Sequence, residues 1–95
     1  MKNILEKNIE KKVCDYAKKN GVLQFKFTSP GRRGVPDRIF MINGKVFFIE
    51  FKATGETPSI EQLAVHRIIT HHGIKVYTVD NVDTGIAAIY KEVFE

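Results

Sequence analysis

Residues Gly34 to Ala53 read GVPDRIFMINGKVFFIEFKA, and this stretch decides how the chain folds. Asn43-Gly44 stands between two apolar runs, Arg38 to Ile42 and Lys45 to Lys52, and Asn-Gly flanked by strand-like residues is the strongest short hairpin signal. With those two residues at the turn, positions whose numbers sum to 87 face each other: Met41 and Val46, Ile39 and Phe48, Asp37 and Glu50. Directly opposed residues have Cβ atoms about 4.5–5.5 Å apart, and like charges there repel. Something positive must therefore sit beside Asp37 and Glu50. Period-two alternation places Lys52 on the same face, while Arg38, Phe40, Ile42, Phe47, Ile49 and Phe51 take the other. Proline tolerates the first residue of a strand but not its middle, so Pro36 puts Asp37 at the mouth of the hairpin rather than in the core.

Two carboxylates and an amine converging at a strand end suit a hard divalent cation, which is held by one or two carboxylates together with waters and phosphate oxygens. The competing reading is an Asp/Glu/Lys salt-bridge cluster that closes the hairpin. The register alone leaves both open.

Outward from the hairpin, Leu5, Ile9, Val13, Tyr16 and Ala17 recur at helical spacing and predict an amphipathic helix ended by Gly21. In VLQFKF, Leu23, Phe25 and Phe27 alternate with Gln24 and Lys26, an edge strand with one wet face. TPSIEQLAVHRIITHHG predicts a second helix, capped at Thr57 or Ser59 and stopped by Gly73, with Ile60, Leu63, Ala64, Ile68 and Ile69 inward. KVYTV reads as a short strand and DTGIAAIYKEVF as a closing helix with Ile86, Ile89, Tyr90 and Val93 inward. The order α-β-β-β-α-β-α predicts an α/β fold, a central mixed sheet flanked by helices, because a strand following the second helix can return beside the hairpin.

The 95 residues, 43% hydrophobic and 27% charged, fit one domain spanning 1–95 with a modest core. No apolar run approaches the roughly 18 residues that span a bilayer, so no membrane partner is expected. The lone Cys14 and the charged start point to a reducing cytosol. Cys14 reads as a small buried or half-buried residue of the first helix. A net charge of +4 permits a polyanionic partner. Arg32 and Arg33 in SPGRRG are candidate phosphate contacts, or else a solvated turn. His66, His71 and His72 miss the i, i+4 spacing of a helical metal site and read as surface residues.

GVPD followed by IEFK, with an acid-bearing helix before and a glutamine-bearing helix after, resembles the PD-(D/E)xK nucleases. More closely it is similar to the stand-alone virus-type replication-repair nuclease (VRR-NUC) domain, from Glu10 to the second helix. The resemblance implies a restriction-endonuclease-like αβββαβ(α) fold and Mg²⁺ or Mn²⁺ as cofactor. It implies that Asp37 and Glu50 are metal ligands with the backbone carbonyl of Phe51, and that Lys52 is the catalytic lysine. Glu10 corresponds to the first-helix acid that approaches the metal directly or through water, its alternative being a solvent-facing glutamate. Gln62 corresponds to the catalytic second-helix glutamine, although Ser59-Ile60-Glu61-Gln62 is equally a capping box. The expected activity is metal-dependent cleavage of structured DNA, branched or four-way (Holliday) junctions in particular, by a homodimer. The alternative is a non-catalytic nucleic-acid-binding module of the same fold.

Overall fold

The computed structural model describes residues 4–95, so Met1 to Asn3 of the expected 1–95 domain lie outside the described residues. The elements follow the expected order: α1 (Ile4–Lys19), β1 (Leu23–Lys26), β2 (Arg38–Ile42), β3 (Lys45–Phe51), α2 (Ile60–His71), β4 (Lys75–Val79) and α3 (Val82–Phe94). They build an α/β fold around a mixed four-stranded sheet of order β1-β2-β3-β4. β1, β2 and β3 are mutually antiparallel neighbours, and β4 runs parallel to β3.

The hairpin forms with the register its turn dictates. Asn43 and Gly44 have φ of 50° and 79°, the left-handed pair that a tight two-residue turn demands, and Met41 pairs with Val46 and Ile39 with Phe48. Phe40, Phe47, Ile49 and Phe51 consequently share one face of the sheet and are fully buried. Against them lie Ile9, Val13 and Ala17 of α1 and Ile89 of α3. Fully burying such a side chain stabilises the fold by about 1.5–3 kcal/mol. α3 can approach α1 because residue 85 is glycine; a Cβ there would lie 2.4 Å from Val13 Cγ2.

α2 covers the other face, over β4 and the C-terminal end of β3. Its inward stripe differs from the expected one. Val65 and His66 are buried, with Gln62 and Ile69 half-buried, whereas Ile60, Leu63, Ala64 and Ile68 are exposed. Positions 62, 65, 66 and 69 form a true helical stripe, and it contains polar residues because it faces the charged end of the hairpin. Leu5 and Tyr90 are likewise exposed rather than inward. On the α2 side of the sheet, Leu23 and Phe25 of the edge strand are each 53% exposed, and Val46 is exposed beside them.

Candidate active site

Asp37 stands one residue before β2, yet the ladder reaches it, since the Phe27 N–H donates to its carbonyl at 2.8 Å. Its Oδ2 accepts the Phe51 N–H at 2.7 Å, which pins the carboxylate across the end of β3. Glu50, its neighbour across the hairpin, is only 2% exposed. Three side chains gather round the Glu50 carboxylate. Gln62 Nε2 donates to Oε2 at 3.2 Å, Lys52 Nζ lies 3.9 Å from the same oxygen, and His66 Nε2 lies 3.6 Å from Oε1. The Lys52 N–H donates to the Val79 carbonyl at 2.8 Å, continuing the β3–β4 pairing past Phe51 and directing the amine to the Glu50 side.

Gln62 closes the cap of α2 and also reaches Glu50. Its Oε1 accepts the Ser59 N–H at 2.9 Å while its own N–H donates to Ser59 Oγ at 3.1 Å, a complete capping box. The Nε2 end of the same amide remains available for Glu50. The helix cap therefore orients the site.

His66 is not a surface residue. It is 8% exposed, and burial lowers its pKa; the charge of Asp37 opposes the shift and that of Lys52 adds to it. The ring faces Glu50. The available signal was its position four residues after Gln62, one turn along the same helix face. His71 and His72 are exposed, as expected.

Glu10 is buried on α1, not solvent-facing, and pairs with Arg38 Nε at 2.5 Å. Arg38 Nη1 also donates to Gln24 Oε1 at 3.4 Å, and Gln24 Nε2 donates to the carbonyl of the buried Cys14 at 2.9 Å. Glu10 and Asp37 line one cleft of about 490 Å³, whose walls include Lys7, Lys11 and Lys26. Asp37 thus lies between the α1 cleft and the Glu50 cluster beneath α2.

Arg32 and Arg33 are exposed, on a turn closed by the Arg32 N–H donating to the Ser29 carbonyl at 3.2 Å. Arg33 Nε lies 3.9 Å from Glu61 Oε2. Gly34, at φ 93°, seats this loop on the start of α2, where a Cβ would come within 2.7 Å of the Glu61 carbonyl oxygen.

Among the described residues, no three His, Cys, Asp or Glu side chains form a closed metal cage. Two opposed carboxylates next to a backbone carbonyl nevertheless fit Mg²⁺ or Mn²⁺, which keep several waters and take the rest of their oxygens from the substrate. No helix among the described residues is long and apolar enough to cross a membrane.

No protein-family model matches the chain. A protein of Acyrthosiphon pisum secondary endosymbiont phage 1 named "Putative nuclease p44" is 44% identical over 84 residues, covering 87% of this chain and 90% of that protein. A solved structure described as "VRR_NUC domain" matches with a TM-score of 0.84 at 23% identity, covering 98% of this chain and 100% of the other. The chain therefore belongs to the family of the phage protein named putative nuclease p44, on a fold that it shares with the VRR_NUC domain and that brings GVPD and IEFK together at one strand end.

Proposed function

We propose that the protein is a Mg²⁺- or Mn²⁺-dependent endonuclease that hydrolyses phosphodiester bonds in structured DNA, with four-way (Holliday) junctions as the preferred substrate, acting as a homodimer. The observation that carries this reading is the meeting of Asp37 and Glu50 at the mouth of the hairpin with Lys52 beside them. Asp37, Glu50 and the Phe51 carbonyl would hold the cation, with Glu10 joining through water. A bound cation lowers the pKa of a coordinated water and screens the scissile phosphate. Lys52 orients the attacking water and stabilises charge that develops at the phosphate, an effect strengthened by its half-buried position. Gln62 holds Glu50 in place, and Arg32 and Arg33 reach backbone phosphates from the loop above α2. A two-fold dimer presents two such sites to a junction with its own pseudo-symmetry. The exposed apolar surface of Leu23, Phe25 and Val46 supports a second copy as its cover.

Labelled duplex and four-way-junction DNA, incubated with Mg²⁺ or Mn²⁺ and then with chelator, test the activity. Cleavage of the junction that chelation abolishes is the expected result, with light scattering giving the mass of a dimer. Asp37→Asn should lose metal binding and cleavage together with little change in stability, because it relieves the opposed charges and still offers an oxygen to the Phe51 N–H. DNA binding without cleavage under every metal condition would favour the binding module instead.

A further inference from the structure

Gln62 and His66 sit one helical turn apart on α2 and address opposite oxygens of Glu50, Gln62 at Oε2 and His66 at Oε1. Gln62 has made its hydrogen bond. His66 Nε2 is buried, has no hydrogen-bond partner among the described residues, and lies 3.6 Å from Oε1. Buried polar atoms are hydrogen-bonded in the great majority of cases, so an imidazole nitrogen aimed at a carboxylate just beyond bonding distance calls for an explanation. A shift of about half an ångström would bring it into the usual N–H···O range of roughly 2.7–3.2 Å.

We infer that His66 is a positioning residue for the metal-binding carboxylate: its Nε2–H closes on Glu50 Oε1 when Glu50 takes up its ligating orientation. Each carboxylate oxygen has lone pairs to spare, so bonds from Gln62 and His66 still leave Glu50 able to ligate. The two donors fix the plane of the carboxylate, as a single donor cannot. Groups that orient a metal ligand in this way typically change metal affinity or activity by about 10–100-fold when removed. The inference rests on the nuclease reading through the role of Glu50, but it assigns a residue outside the motifs that carry that reading.

Three variants isolate the Nε2 position. A glutamine amide can place its nitrogen where Nε2 stands, an asparagine amide stops near Nδ1, and leucine fills the space with no donor. Isothermal titration with Mn²⁺ and with Mg²⁺, together with thermal melts in chelator, would be run on the wild type, His66→Gln, His66→Asn and His66→Leu. The expected result is wild-type affinity within about threefold for His66→Gln, and affinity about 10–100-fold weaker for His66→Asn and His66→Leu. The metal-free melt of His66→Leu should stay at or above that of the wild type, because a buried unbonded polar atom has been removed. Equal metal affinity in all four proteins would overturn the positioning role and leave the nuclease reading standing. A His66→Leu melt far below the wild type, with no rescue of affinity by His66→Gln, would also overturn it and mark His66 as structural. A wild type that binds neither cation would overturn both proposals.

Discussion

Glu50 and Glu92 are both buried glutamates, at opposite ends of the parallel β3–β4 pair, and their surroundings differ in kind. Glu92, 5% exposed on α3, accepts a short hydrogen bond from the Tyr77 hydroxyl and pairs with Lys75 Nζ at 3.3 Å. Lys45 Nζ donates to its backbone carbonyl at 2.9 Å, which fastens the start of β3 to the same turn of helix. Burial, together with the hydrogen bond from Tyr77 to Glu92, raises the Tyr77 pKa well above its usual value, so the hydroxyl stays a donor. At Glu50, by contrast, the amine stands 3.9 Å away and the imidazole 3.6 Å, and a second carboxylate is directly opposed. The Glu92 carboxylate is closed in by short bonds, whereas the Lys52 amine and the His66 ring stand farther from that of Glu50.

The largest effect that would sharpen this contrast is expected at Lys52. Lys52→Met keeps both carboxylates and most of the side-chain stem, so folding, metal binding and DNA binding should persist while the cleavage rate falls at least about a hundredfold. If the cluster were a salt bridge instead, the same change would leave two opposed carboxylates unscreened; a large drop in melting temperature with no metal binding by the wild type would show that. At the other glutamate the readouts should exchange places. Tyr77→Phe removes a bond to a buried charge and should cost about 1–3 kcal/mol in chemical denaturation, with cleavage per folded molecule unchanged. A cleavage defect there would break the contrast. The smallest effect concerns the approach of the substrate. Replacing Arg32 and Arg33 with alanine should weaken DNA binding for all sequences alike and make the slope of log K against log salt shallower by roughly two. An unchanged slope would reduce GRRG to a turn.

Much of the site was legible because the hairpin is governed by local rules. Asn43-Gly44 sets the register, the register brings Asp37 to Glu50, and alternation brings Lys52 to the same face. Burial within helices was less legible, since it depends on what each helix covers. α2 turns a stripe with polar members toward the charged end of the hairpin, and its more apolar flank stays exposed, so counting hydrophobic residues selected the wrong side. His66 belongs to that polar stripe, one turn after Gln62, and its spacing to His71 and His72 carries no information about its burial. Glu92 lies three residues after Ile89 and four after Ala88, on the buried face of α3, where only the partners at Tyr77 and Lys75 make a glutamate tolerable. Those partners come from β4, and no periodicity within α3 announces them. For Glu10 the sequence leaves a buried and a solvent-facing position both open, because its pairing with Arg38 requires knowing that β2 passes beneath it.

The double engagement of Gln62 limits what evolution can do at that position. The capping bond requires an acceptor and the bond to Glu50 requires a donor, both at the reach of a two-methylene side chain. Glutamate would preserve the first and set a second anion against Glu50; asparagine has the same amide on a shorter stem; lysine has the donor and no acceptor. Glutamine alone meets both conditions. The requirement for a well-started helix and the requirement for an oriented Glu50 therefore converge on one amino acid, and a genetic screen would record position 62 as intolerant without revealing which of the two had been lost.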